Sequence, residues 1–410
     1  MNAPQRRIAL YSHDTQGLGH IRRNVELASA LVADRPETDV LLITGAVEAG
    51  ALALPANTEL VVLPAVTKDR LGGYASAALR CSLADILALR GDLIAAAIAA
   101  FSPDLFIVDK EARGLRGELD RTLSITPRLI GPGGRRARLV LGLRDVLDGP
   151  ERTRREWQES GATDTLLASY DEVWVYGDPA VHDVTEVLAL PESVREMVRF
   201  TGYLATGRGD GLVPRVTGGR PDVRPSGKYV LCLVGGGQDG RGLARAFVDA
   251  DLPVGHHGVL VTGPYMGRGP REELTGATRG RADLTVHDFL SSTLELVHGA
   301  SAVVSMGGYN TVCEMLASRA PGLIVPRVEP RREQQVRADA LASRTHLTVL
   351  HPDNADATAL SGWLASAVAQ APRPHAIDLD GLARVPELAA RLVDEPSLPL
   401  LLRDVCDATA

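Results

Sequence analysis

The stretch Ala302–Gln335 reads AVVSMGGYNTVCEMLASRAPGLIVPRVEPRREQQ. Its first four residues form a short apolar run that reads as a strand. Met306-Gly307-Gly308-Tyr309-Asn310 is a turn, and Thr311–Ser318 carries helical spacing. A second apolar run, Gly322–Val325, closes at Pro326-Arg327, and Glu333-Gln334-Gln335 open another helix. Short apolar strands alternating with helices suit a parallel sheet covered on both faces, which is an α/β layer architecture.

The same stretch carries chemistry. Thr311 or Asn310 can cap the helix that follows the turn. The free amides and dipole at its start form an anion site suited to a diphosphate, and Gly307 and Gly308 allow close approach. Glu314 lies one turn in, on the face of Asn310 and Thr311, where a carboxylate can accept both hydroxyls of a ribose. Glu333, Gln334 and Gln335 can read sugar hydroxyls as donors and acceptors. The plain alternative is a capped helix with a solvated acid. It leaves the two glycines, the capping pair, the acid one turn on and the Glu-Gln-Gln element without a common reason.

Outward from this stretch the chain reads as two rounds of strand, loop and helix. First-round strands are expected at Ile8–Ser12, Val40–Ile43, Leu60–Leu63, Leu105–Val108, Leu139–Leu143 and Glu172–Tyr176. Residues 206–228, TGRGDGLVPRVTGGRPDVRPSGK, have no periodicity and read as a linker. A second round starts at Tyr229–Val234. The expected division is an acceptor-binding Rossmann-like domain at 1–205, a linker at 206–228, a nucleotide-sugar-binding Rossmann-like domain at 229–375, and a helical tail at 376–410 packing back on the first domain. Two doubly wound domains place a cleft at their strand carboxyl ends, where open α/β sheets bind ligands.

Two further glycine loops fall at such ends. Ser12–His20 reads SHDTQGLGH; Gly17 and Gly19 allow a tight turn, and His20 stands at the next helix N-terminus, placed to act as a general base. Gly235-Gly236-Gly237-Gln238-Asp239-Gly240 matches the dinucleotide spacing, but the following strand ends Val261-Thr262-Gly263-Pro264 without the acid a ribose needs. Gly235, Gly236 and Gly237 therefore read as a turn whose amides face a diphosphate or an acceptor. Asp109 and Asp145 follow strand ends on the cleft side of the first sheet, and either acid can orient His20 or replace it as base.

Composition bounds the rest. The net charge of −7 argues against general nucleic-acid binding. Four separated cysteines, Cys81, Cys232, Cys313 and Cys406, include no CxxC pair and read as reduced, buried thiols of a cytoplasmic protein. The most apolar stretch, Leu93–Phe101, is about half the length of a bilayer-spanning helix. Two DxD matches, Asp249-Ala250-Asp251 and Asp378-Leu379-Asp380, lie on the far side of their domain and in the tail, so no metal site is expected.

The pattern Gly-Gly-x-x-Thr-x-x-Glu, then x-Pro, then Glu-Gln over residues 280–345 resembles the donor-binding half of family 28 glycosyltransferases, the MurG-like group. Its MGGYNT-x-x-E element is most similar to an uncharacterised bacterial branch of them. The resemblance is weaker over residues 8–33. It implies a GT-B fold and an inverting, metal-independent glycosyltransferase that uses a UDP-sugar, or a TDP-sugar, as substrate and needs no cofactor. It further implies Phe289 at the uracil, Gly307, Gly308, Tyr309, Asn310 and Thr311 at the diphosphate, Glu314 at the ribose, Gln334 and Gln335 at the donor sugar, and His20 as base. The Gly17–His20 loop is shorter than in MurG itself, so the acceptor is left open among small molecules, lipid-linked carriers and polysaccharides, peripheral membrane contact included. The rival readings are a nucleotide-sugar 2-epimerase or hydrolase on the same fold, and a non-catalytic nucleotide-sugar-binding subunit.

Overall fold

The computed structural model describes residues 6–14, 17–68, 73–213, 223–371 and 374–394. The first sheet has seven parallel strands in the order β3-β2-β1-β6-β7-β8-β9. They are β1 (Arg6–Ser12), β2 (Thr38–Thr44), β3 (Thr58–Val62), β6 (Leu105–Asp109), β7 (Arg138–Arg144), β8 (Glu172–Tyr176) and β9 (Val198–Phe200). Between β3 and β6 the chain makes an antiparallel hairpin of β4 (Val66–Lys68) and β5 (Tyr74–Ser76). The second sheet has six parallel strands in the order β12-β11-β10-β13-β14-β15. These are β10 (Tyr229–Leu233), β11 (His257–Val261), β12 (Leu284–His287), β13 (Ala302–Ser305), β14 (Gly322–Ile324) and β15 (Leu347–Val349).

The central strands β1, β6, β8, β10 and β13 are almost wholly buried, because helices cover both faces of each sheet. Each sheet changes its direction of growth beside its first strand, between β1 and β6 and between β10 and β13. These are the switch points where the connecting loops diverge and leave a crevice. The loops after β1, β6, β10 and β13 therefore meet in one cleft.

The segment after β9 is anchored. Leu204 bridges Asp380, Val213 bridges Leu54, and the buried Arg208 donates to the Leu204 carbonyl at 3.0 Å and to Asn310 at 3.3 Å. The first part of the expected linker thus packs between the sheets; positions 214–222 lie outside the described residues. The Gly381–Asp394 helix lies beside the Gly19–Asp34 helix of the first sheet, and Arg6 pairs with Asp394 at 3.1 Å. Cys232 and Cys313 are buried, but Cys81 is exposed, because it precedes the Leu83–Phe101 helix on the surface; Cys406 lies outside the described residues. Among the described residues no helix is long and apolar enough to cross a membrane.

Candidate functional site

The cleft encloses a cavity of about 340 Å³ bordered by both layers. From the first layer come Gly17, Gly19, His20, Arg22, Arg23 and Arg144. The second layer supplies the Gly235–Gly237 turn, Phe289, Thr293, the Gly308–Thr311 helix start, Arg327, Glu333 and Gln334.

His20 sits in the first turn of the Gly19–Asp34 helix. Its Nδ1 meets a carboxylate oxygen of Asp109, the last residue of β6, in a short contact. An ionised carboxylate only accepts, so against Asp109 the ring proton sits on Nδ1 and Nε2 is the basic nitrogen; Arg23 Nη2 also lies 3.0 Å from Nδ1. Asp109 is 1% exposed and also accepts from Arg23 Nε at 3.1 Å. Burial alone would raise its pKa; the Arg23 charge and then His20 outweigh burial and hold the carboxyl well below the usual range. Asp109 is thus a fixed anion behind His20. His13 lies beside the pair with its ring 5.3 Å from that of His20. Burial drives the His13 pKa down to about 3, with Lys110 and His20 adding to the shift, and its Nδ1 has no hydrogen-bond partner.

Asp145 does not stand free as the second acid. Arg337, from the Glu333–Ala342 helix of the other layer, grips it with Nε at 2.9 Å and Nη2 at 2.8 Å, and Tyr203 Oη donates to it at 3.0 Å. Both ions are at most 1% exposed. Although burial opposes ionisation, Arg337 pulls the Asp145 pKa below its ordinary value. The carboxylate is consumed in a tie between the layers. Further ties run alongside: Arg144 to Glu333, and Arg331 to Asp148 at 3.0 Å and to Glu156 at 2.9 Å.

The helix after β13 begins at Tyr309, two residues earlier than expected, with Gly308 as its N-cap and no side chain closing the cap. Neither Asn310 nor Thr311 does so. Asn310 instead reaches across the cleft and donates to the Gly19 carbonyl at 2.9 Å. The first amides of the helix thus have no capping side chain, as an anion site requires. The two glycines before it differ in role. Gly307 has φ +76°, and a Cβ there would meet Ile324 Cγ2 at 2.6 Å, so it serves the turn and does not border the cavity. Gly308 has open space where a Cβ would stand and does border it. The Tyr309 side chain is 5% exposed and stacks on Tyr203 with ring centroids 6.2 Å apart; its position favours packing between the layers over contact with a phosphate.

Glu314 is buried and accepts from Thr293 Oγ1 at 2.8 Å; Thr293 borders the cavity in front of it. Glu333 is held by Arg144. Gln334 accepts from the Arg327 amide at 2.8 Å through Oε1, which leaves its NH2 group for the cavity. Gln335 does not border the cavity; it donates to Asp339 at 2.7 Å along its own helix. Gly235, Gly236 and Gly237 all line the wall of the cavity. The sequence reading missed Arg22, Arg23, Arg144 and Thr293. The adjacent Arg22-Arg23 pair, directly after His20 on the same helix, was the available signal.

With this geometry in hand, comparisons with known proteins place the molecule. The glycosyltransferase family 28 C-terminal domain matches residues 230–377. No curated protein matches the sequence. Among solved structures, the glycosyltransferase VinC in complex with DTDP is similar with a TM-score of 0.54 at 16% identity, with 98% of each chain covered. A UDP-glucose: anthocyanidin 3-O-glucosyltransferase in complex with UDP gives 0.56 at 12%, with 100% of each covered. A putative UDP-N-acetylglucosamine 2-epimerase from Listeria monocytogenes gives 0.59 at 13%, covering 97% of this chain and 99% of that one. The chain therefore has the GT-B fold, two Rossmann-like parallel-sheet domains facing a central cleft, and its second domain carries the sequence signature of the glycosyltransferase family 28 C-terminal domain.

Proposed function

We propose that the protein transfers a sugar from a UDP-sugar or TDP-sugar to an acceptor hydroxyl by a single inverting displacement. The observation that carries this reading is that the His20–Asp109 pair and the uncapped start of the Tyr309–Ser318 helix border or back one cavity from opposite domains. Asp109 fixes the His20 tautomer and stabilises the imidazolium that forms. His20 Nε2 takes the acceptor proton as the oxygen attacks the anomeric carbon. The amides at Gly308–Thr311, preorganised and without capping side chains, meet the charge that develops on the departing nucleoside diphosphate, so the step is metal-independent. Phe289 supports the base, and Thr293 with Glu314 behind it holds the ribose. The NH2 group of Gln334 reads the donor sugar.

The epimerase or hydrolase reading needs free acids at the anomeric end. The carboxylates bordering the cavity are neutralised: Asp239 by Arg327 at 2.9 Å and Glu333 by Arg144. That favours transfer. The test is release of nucleoside diphosphate from UDP- and TDP-hexoses in the presence of hydroxylated acceptor libraries. His20→Ala should lower turnover about 10²–10⁴-fold while donor Kd stays within about twofold. Turnover by H20A equal to wild type would remove His20 from the mechanism.

A further inference from the structure

Four arginines border the cavity: Arg22, Arg23, Arg144 and Arg327. Three are matched by carboxylates, Arg23 by Asp109, Arg144 by Glu333 and Arg327 by Asp239. Arg22 has no carboxylate within ion-pair distance among the described residues. Its Nη2 donates to the Leu290 carbonyl at 2.8 Å, and its Nε is buried without a hydrogen-bond partner. Burial lowers its pKa, and the more distant Glu314 and Glu26 only partly offset this. Arg22 is half-buried: its Nε is shielded and unpaired, and its charge faces the cavity with no carboxylate to match it. Perturbed charges of this kind cluster at functional sites.

Its position says which charge. Arg22 is two residues past His20, so the two side chains leave the helix in different directions. His20 turns to Asp109 within its own domain, and Arg22 crosses to the other. Its guanidinium lies 5.8 Å from the centre of the Phe289 ring. Thr293, with Glu314 behind it, and the Gly308–Thr311 amides border the same cavity.

We propose that Arg22 is a phosphate-binding residue of the donor site, supplied by the opposite domain and directed to the phosphate next to the ribose. This rests on the nucleotide-sugar reading above and adds to it that both domains hold the donor. The unused guanidinium donors pair with phosphate oxygens, and the donor's own charge matches the unpaired cation.

Calorimetric titration of wild type, Arg22→Gln and Arg22→Lys with UDP, TDP, UMP and uridine tests this. Arg22→Gln should weaken UDP, TDP and UMP about ten- to a hundredfold, the size of one charge-assisted contact, and leave uridine within about twofold. Arg22→Lys should fall between. Without ligand, Arg22→Gln should melt close to wild type, because the half-buried charge it removes makes no ion pair there. Unchanged UDP and UMP affinity in Arg22→Gln, with wild type binding both, would overturn the role of Arg22 alone. Equal losses for UDP and uridine would assign Arg22 to the nucleoside and overturn it too. A wild type that binds neither UDP nor TDP would sink the donor reading and this inference with it.

Discussion

Arg337→Met separates a tie between domains from a catalytic acid. In the wild type the Arg337 guanidinium makes contacts of 2.8–3.0 Å to Asp145 and donates to the Gly307 carbonyl at 3.1 Å. With Met in its place, the Asp145 carboxylate stays buried with Tyr203 Oη as its remaining side-chain donor. Breaking a buried pair from one side costs about 3–5 kcal/mol, whereas replacing both partners by apolar groups of similar volume is near neutral. Arg337→Met should therefore lose about that much, and Asp145→Leu/Arg337→Met should recover most of it, a coupling of at least about 2 kcal/mol. Urea unfolding followed by tryptophan fluorescence reads this. The first transition is the one to fit, because a two-domain chain need not unfold in one step. If Arg337→Met is within about 1 kcal/mol of wild type, the pair is not buried as described.

Other outcomes follow from the same geometry. His13 has a folded pKa of about 3 against an ordinary value of 6.5. Its contribution is fully present above pH 6.5 and is lost as pH falls toward 3. At about 1.4 kcal/mol per pH unit, roughly 2 kcal/mol disappears between pH 6.5 and pH 5. His13→Leu should flatten the stability–pH curve in that window; an unchanged slope would refute a neutral buried His13. Asp109→Asn removes the anion that fixes the His20 tautomer, so turnover should drop about as far as in His20→Ala, with donor affinity little changed. Normal turnover in D109N would detach Asp109 from the base.

The alternation of buried strands and helices was legible because a parallel strand covered on both faces must be a continuous apolar run. Strand β9 and the β4–β5 hairpin were not foreseen, since three residues each carry no such run. That the loops at Gly17–His20, Gly235–Gly237 and Gly308–Thr311 border the cleft was legible because each follows a parallel strand and carries glycine before a helix or turn, a local signal that exists before any tertiary contact. The pairing of Asp145 with Arg337 was not legible for a physical reason: the partner lies 192 residues away, and no local pattern distinguishes an acid awaiting a substrate from one awaiting an arginine. Gln334 and Gln335 differ only in helical phase, which is set by where the helix begins. In the other helix, which begins at Tyr309 and not at Thr311, the cap falls at Gly308 in place of Asn310 or Thr311, and the Tyr309 side chain is buried.

The central claim is that the C-terminal domain holds a uridine or thymidine diphosphate sugar, and the most direct measurement is a thermal-unfolding panel with UDP, TDP, GDP, ADP and NAD on wild type and Glu314→Ala. A ligand that binds only the folded chain raises its melting temperature with concentration. The account predicts that UDP or TDP stabilises the wild type and that Glu314→Ala loses most of that shift. Stabilisation by NAD or ADP alone would make the Gly235–Gly240 loop the true nucleotide signal and contradict the account.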